Sequence, residues 1–422
     1  MIDDFVRPEP PRKKPKRIEP LEKPAPTPLH ELAAKEDPTF KTPEQVASEA
    51  PEETTVTDTP IVAEHTRRPK RQWPFGRKQT IIMGVVLFVA LVGAGTATYA
   101  LTRPSVKGGV YQSKRGHYVP PKPTTVASTL TGLQVDPSAN QRPVTGVMIE
   151  NSLDARPQSG LSQAGVVFEA VAEGGVTRYL ALFQDQTPAN VGPIRSARPY
   201  YVQWAMGFDA GYAHVGGSPD GLADIRAWGT RDLDQFYNGS SYHRISSRYA
   251  PHNVYTGIDT LNQLEAKKGY TSSNYTGFAR GTEAPSKQPT ATSIGFSLSG
   301  YLYDPQYAYN ATTNSYDRSE NGKPQVDANN GAQLSPKVVI AIVVPLSRGA
   351  LDSSGAYYSD YNPIGTGVAY VFQNGTLTTG QWQKPSTTAN ISFTDASGQP
   401  LKLNPGQTWI TAVTDTSKIS YK

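Results

Sequence analysis

The 422 residues contain no cysteine, which removes disulfides, thiolate metal sites and cysteine-linked lipid together. Also missing are the GxSxG elbow, the GxxxxGK phosphate cradle, the GxGxxG dinucleotide turn and the HExxH zinc pair, so these hydrolase, nucleotide-binding and metalloprotease signatures are absent. The formal charge is only +5, from 41 basic and 36 acidic residues. That surplus is too diffuse for a nucleic-acid partner, whose footprint is a concentrated basic stripe.

Against these absences one long uncharged run stands out, IIMGVVLFVALVGAGTATYAL at residues 81–101. As a helix it reaches roughly 31 Å, matching a hydrocarbon core of about 30 Å, and it predicts one transmembrane helix over residues 80–102. Arg67, Arg68, Lys70, Arg71, Arg77 and Lys78 precede it, while the charges that follow are sparser. The positive-inside rule then puts the N-terminus in the cytoplasm and the rest of the chain outside, with the lipid bilayer as a partner. Gly95-Thr96-Ala97 resembles a cleavage site, but the leader before it is far longer than a signal peptide's charged region. A retained signal anchor is expected.

Residues 1–79 are rich in Pro, Glu, Lys and Thr and show no hydrophobic period, so a disordered cytoplasmic tail is expected. Its basic runs at residues 11–17 and 67–71 suit anionic lipid or a cytoplasmic partner; the plain alternative is a solvated tail that helps set topology. Residues 103–141 are again rich in Pro, Thr and Ser and read as an extracytoplasmic stalk. Beyond them, residues 143–150, 164–171 and 176–183 read as strands. Residues 198–208, 218–228 and 256–269 read as helices, the second with an N-cap Ser218 and the third with a Thr256/Asp259 cap. The interleaving predicts an α/β layered domain over residues 142–280. Residues 281–422 carry strand runs broken by Asn-Gly, Ser-Gly and Pro-Gly and predict a mostly-β domain, with a hairpin pairing residues 303–310 to a strand near Tyr316.

The chemistry concentrates in the first domain, where residues 143–268 hold ten basic side chains, eight of them arginine, against twelve acids. Arginine matters because its planar fork binds carboxylate or phosphate through two parallel hydrogen bonds. Arg195 and Arg198 lie in GPIRSARP, a turn running into a helix whose free N–H groups favour an anion. Arg178 lies in the third strand, and His243, Arg244, Arg248 and Asn253 share the segment YHRISSRYAPHN. These seven are the expected anion-binding residues. His252 or His214 is the candidate proton carrier, and Glu169 or Glu173 the candidate base. No short-range ligand spacing points to a resident metal, and Mg²⁺ enters only if the protein is an enzyme. For each residue alone, the plain alternative is a surface salt bridge or a capped turn.

The motifs AEGGVTRYLALFQ, VGPIRSARPYYV and HRISSRYAPHNVYT, in this order, resemble the YerB-like family of bacterial envelope lipoproteins (domain of unknown function 3048, N- and C-terminal parts), and the likeness runs from Pro143 to the C-terminus. Family members attach through a lipidated cysteine; this chain has none, and its apolar run would take that role. Gly165 and Pro199 stand where the family often carries aspartate, so a cation or base site built on those carboxylates would be lost here. A weaker pattern, GVMIEN, PIRSARP, AYAHVGG, is similar to the LytR-CpsA-Psr phosphotransferases, which hold pyrophosphate with arginines. Two readings follow. One is a membrane-anchored envelope protein binding a glycan phosphate or carboxylate, with a cell-wall glycan or peptidoglycan component as partner. The other is a phosphotransferase or phosphodiester-cleaving enzyme acting on lipid-linked envelope glycans.

Overall fold

The computed structural model describes residues 124–422, apart from 353–354. The expected cytoplasmic tail, the transmembrane helix at 80–102 and the first part of the stalk lie outside the described residues. Among the described residues no helix is long and apolar enough to cross a membrane.

The chain is mostly β. Its first half supplies β1 (Thr145–Glu150), β2 (Val166–Val171), β3 (Thr177–Phe183), β4 (Gly211–Ala213) and β5 (Arg231–Asp232), with helices α1 (Pro199–Met206), α2 (Pro219–Ala227) and α3 (Ile258–Lys267). Its second half supplies β6 (Ser293–Phe296), β7 (Gln306–Asn310), β8 (Ser315–Glu320), β9 (Lys323–Pro324), β10 (Val338–Val343), β11 (Gly365–Gln373), β12 (Thr376–Lys384), β13 (Ser392–Thr394), β14 (Thr408–Val413) and β15 (Ile419–Tyr421). Ten strands form one sheet in the order β13-β12-β11-β10-β14-β2-β3-β1-β4-β5, and five form a second in the order β9-β8-β7-β6-β15. The large sheet crosses from one half of the chain to the other where β14 runs parallel to β2, Thr408 opposite Val166.

Burial on both faces explains the composition of the central strands. TGVMIE in β1 and TWITAV in β14 are buried throughout, as expected when neither face meets water. On one face Tyr200, Tyr201 and Trp204 of α1 pack with Phe168 of β2, whose ring stacks on Trp204 at 5.0 Å. On the other, Ile258, Leu261 and Leu264 of α3 share a core with Phe296, Tyr307 and Tyr316 of the smaller sheet. The expected layered α/β domain therefore reduces to three short helices on a sheet that both halves build.

Several local expectations hold. Ser218 caps α2 by accepting from the Gly221 N–H, with Pro219 in the first turn. The hairpin of β7 and β8 sets Tyr309 opposite Tyr316. Two differ. Gly257, not Thr256, precedes α3, because the Thr256 hydroxyl donates instead to the Ser241 carbonyl at 2.7 Å. Residues 124–141, expected as the end of a stalk, fold onto the body: Val126–Ala127 pairs with Gln134–Val135, and Leu130 is buried in the core.

Candidate functional site

The site forms where the segment GPIRSARP crosses the end of β1. The Glu150 N–H donates to Pro193 O at 2.9 Å and the Arg195 N–H to Met148 O at 2.9 Å, which locks this segment against the strand. Glu150 stands opposite Arg178 in the β1/β3 register. The β2–β3 hairpin turns through Gly174 and Gly175, both left-handed at φ 61° and 80°, and its tip delivers Glu173 between two arginines. Arg198 immediately precedes α1.

Two carboxylates hold three guanidinium groups there. Arg178 Nη2 donates to Glu173 Oε1, while Arg198 Nη2 lies 2.5 Å and Nε 3.0 Å from Glu173 Oε2. Arg198 also lies 4.8 Å over the Tyr358 ring. Glu150 Oε2 meets Arg195 Nε at 3.0 Å and His252 Nδ1 at 2.9 Å, and its Oε1 accepts from Ser152 Oγ at 2.8 Å. Arg195 Nε is buried and approaches Glu150 without a well-directed hydrogen bond. Burial pushes the Arg178 guanidinium below its ordinary value, and the neighbouring Arg198 adds to this against the pull of Glu173. Burial alone would raise the Glu173 carboxyl, but Arg178 and Arg198 hold it below the usual range.

The structure thus gathers Arg178, Arg195, Arg198, Glu173 and His252, and adds Glu150 and Ser152. Arg244, Arg248, His243 and Asn253 occupy the adjoining hairpin of His243–Arg244 and Val254–Tyr255 and its loop. Arg244 Nη1 donates to Asn253 Oδ1 at 2.6 Å, and Arg248 Nη2 to Pro157 O at 2.6 Å. His243 faces Tyr255, ring to ring at 6.3 Å, rather than the Glu150 cluster.

Two expected catalytic residues sit elsewhere. His214 is fully buried; its Nδ1 lies 2.8 Å from the Gly216 carbonyl and its Nε2 3.1 Å from Asp232 Oδ1, so both ring nitrogens are engaged in holding a turn. Glu169 is fully buried and accepts from Arg318 Nη2 at 2.8 Å, Trp409 Nε1 at 2.9 Å and Thr411 Oγ1 at 3.2 Å. It is a structural pair between β2, β8 and β14, closed to any substrate. Gly165 belongs to packing as well: a Cβ there would come 2.7 Å from Leu130 Cδ2, and the position lies at the far end of β2 from Glu173. An aspartate at that position would force the Leu130 and Thr131 side chains to shift. Among the described residues no group of three or more His, Asp or Glu side chains is placed to hold a metal ion.

A mixed-sheet body of two interlocked halves, with an arginine-rich polar site at one strand end, is the class the fold defines. Residues 130–271 match the N-terminal domain of the family described as "Protein of unknown function (DUF3048)" and residues 293–410 its C-terminal domain, and the chain belongs to this family. It is 30% identical over 301 residues to a Bacillus subtilis (strain 168) protein described as "Putative lipoprotein YerB", across 70% of this chain and 89% of that one. It is similar also to the crystal structure of the YerB protein from Bacillus subtilis, with a TM-score of 0.63 at 30% identity over 70% of this chain and 99% of that chain.

Proposed function

We propose that this is a membrane-anchored, extracytoplasmic envelope protein that binds an anionic group, a glycan phosphate or carboxylate, at Arg178, Arg195 and Arg198. One observation carries the reading: three guanidinium groups converge on the two carboxylates of Glu150 and Glu173, leaving positive charge over in a largely buried place. Buried surplus charge is costly unless a counter-ion completes it. An incoming oxyanion supplies that counter-ion, and Arg195, the most exposed of the three, would meet it first. Binding is favoured over group transfer because His252 Nδ1 is already taken by Glu150 and its Nε2 stands 4.0 Å from Asp154. Ser152 Oγ approaches the same Nδ1 at 3.3 Å and bonds Glu150 directly, which is not a relay from carboxylate through imidazole to hydroxyl.

The description of YerB as a lipoprotein supports an envelope location. With no cysteine to carry lipid, the apolar run at residues 81–101 is the proposed anchor. Calorimetric titration of the full-length chain in detergent with pyrophosphate tests the site. Saturable binding lost in Arg195→Ala is expected, and equal binding by both chains refutes it. Protease added to intact cells should cut the folded body and leave the first eighty residues; the opposite pattern refutes the topology.

A further inference from the structure

A second cleft lies beside this site, between the loop after β1 and the turn from β8 to β9. It encloses ≈ 340 Å³, near the lower end for small-molecule pockets, and is lined among others by Leu153, Arg156, Gln158, Glu320, Lys323 and Gln325. Asn321 and Gly322, both left-handed at φ 55° and 66°, make the tight turn that presents Lys323. The floor is built rather than incidental: Gln158 and Gln325 are buried, and Gln158 Nε2 donates to Asn151 Oδ1 at 2.8 Å. Glu320 is buried beneath, 3.1 Å from Arg156 Nη2 and 3.5 Å from Arg318 Nη2.

The charges differ from those of the first site: Arg156 and Arg318 balance the carboxylates of Glu320 and Glu169, and the exposed Lys323 on the rim of the cleft adds one positive charge. Among the described residues Lys323 Nζ has no ion pair, and Arg156 uses Nε and Nη2 on protein acceptors but not Nη1. The two places are close. Asn151 bonds Glu320 through its side chain at 3.1 Å and follows Glu150 in the chain, which puts the carboxylates on the order of 10 Å apart. The Tyr303 ring lies 5.2 Å from the Arg156 guanidinium, within electrostatic reach of both Glu320 and Glu150. Around this face Leu153, Tyr301 and Leu302 are exposed, held in place as Arg156 Nη2 bonds the Leu302 carbonyl at 2.9 Å. Exposed aromatic and aliphatic surface beside fixed hydrogen-bond donors suits sugar rings better than a bare inorganic ion.

We propose that the Arg156–Lys323 cleft is a second anion subsite, taking the next charged unit of one anionic glycan chain whose first unit sits at Arg195; it rests on the reading of that first site. The ligand is then a polyanionic saccharide, recognised by charges repeated along its length, rather than a single small anion. Two linked subsites raise affinity through effective concentration without new contacts at either one.

The test titrates the full-length chain in detergent with galacturonate oligomers of increasing length, beside inorganic phosphate chains of matching charge and a single-stranded oligodeoxynucleotide. Galacturonate affinity should climb about tenfold or more from monomer to tetramer. In Lys323→Ser, a change on an exposed turn, the climb should vanish while monomer affinity stays. Arg156→Gln should behave alike. A climb unchanged in Lys323→Ser, or no climb in the wild type, overturns the second subsite and leaves the first standing. Binding indifferent to Arg195→Ala overturns both. Equal climbs for phosphate chains or the oligonucleotide overturn the saccharide class.

Discussion

Glu265 offers the sharpest check on how charge is buried in this fold. Its side chain reaches from α3 onto the sheet, where Oε2 accepts from Thr145 Oγ1 at 2.8 Å and Oε1 presses on Gly211 without a well-directed donor. Burial pushes the carboxyl from an ordinary 4.5 up to about 8, against the weaker pull of Thr145 and Arg231. The folded protein therefore holds a proton that the unfolded chain releases between those values. Stability is full below about pH 4.5 and falls as pH rises towards 8, at about 1.4 kcal/mol per unit. Between pH 5 and pH 7 this single group removes roughly 2–3 kcal/mol. Glu265→Gln keeps the shape and the acceptor for Thr145 but cannot ionise. Urea unfolding followed by tryptophan fluorescence should show the variant gaining on the wild type by that amount over the two pH units. A constant difference between the two proteins across that range would refute the reasoning, because the carboxyl would then ionise alike in both states.

Lys384 predicts the opposite slope at higher pH. Its ammonium faces the carbonyls of Ser386, Thr387 and Ala389, and burial pushes it from 10.5 down to about 7. The unfolded chain holds the extra proton between those values, so stability should rise from about pH 7 to 10, and Lys384→Met should flatten that rise in the same urea titration. Cutting the Glu169–Arg318 pair with Arg318→Leu leaves a buried carboxylate without its counter-charge and should cost about 3–5 kcal/mol, lowering the thermal midpoint. Replacing both residues by leucine should recover most of that loss; a double variant as unstable as the single one would contradict the assignment.

Much of the local structure was legible. Val176 to Phe183 could only be a strand, and Ser218-Pro219 announced a helix start that the Ser218–Gly221 bond fulfils. Pairing across the chain was not. Arg318 lies 149 residues from Glu169, and no periodicity says that these two meet. Glu169 thus looked available for chemistry when it was already consumed by packing. Glu150 is not among the sequence candidates for the converse reason: nothing local to the end of its apolar strand shows that GPIRSARP folds back and covers it. Residues 124–141 looked like stalk because polar composition hides one apolar anchor, Leu130, and the hydroxyls of Ser128 and Thr131 that bind Asp185. The arginines of GPIRSARP are legible in the sequence because a turn entering a helix is a local event, readable wherever it occurs.

The position of β14 bears on biogenesis. Strand β2 waits for a neighbour that is made much later in synthesis, since Glu169 and its partner Thr411 are 242 residues apart. Closing so distant a pair is slow, and until it happens β2 offers a bare edge. A secreted version of such a protein cannot finish its sheet while β14 is still threading through a translocon. Its emerging half must be kept from strangers until β14 arrives.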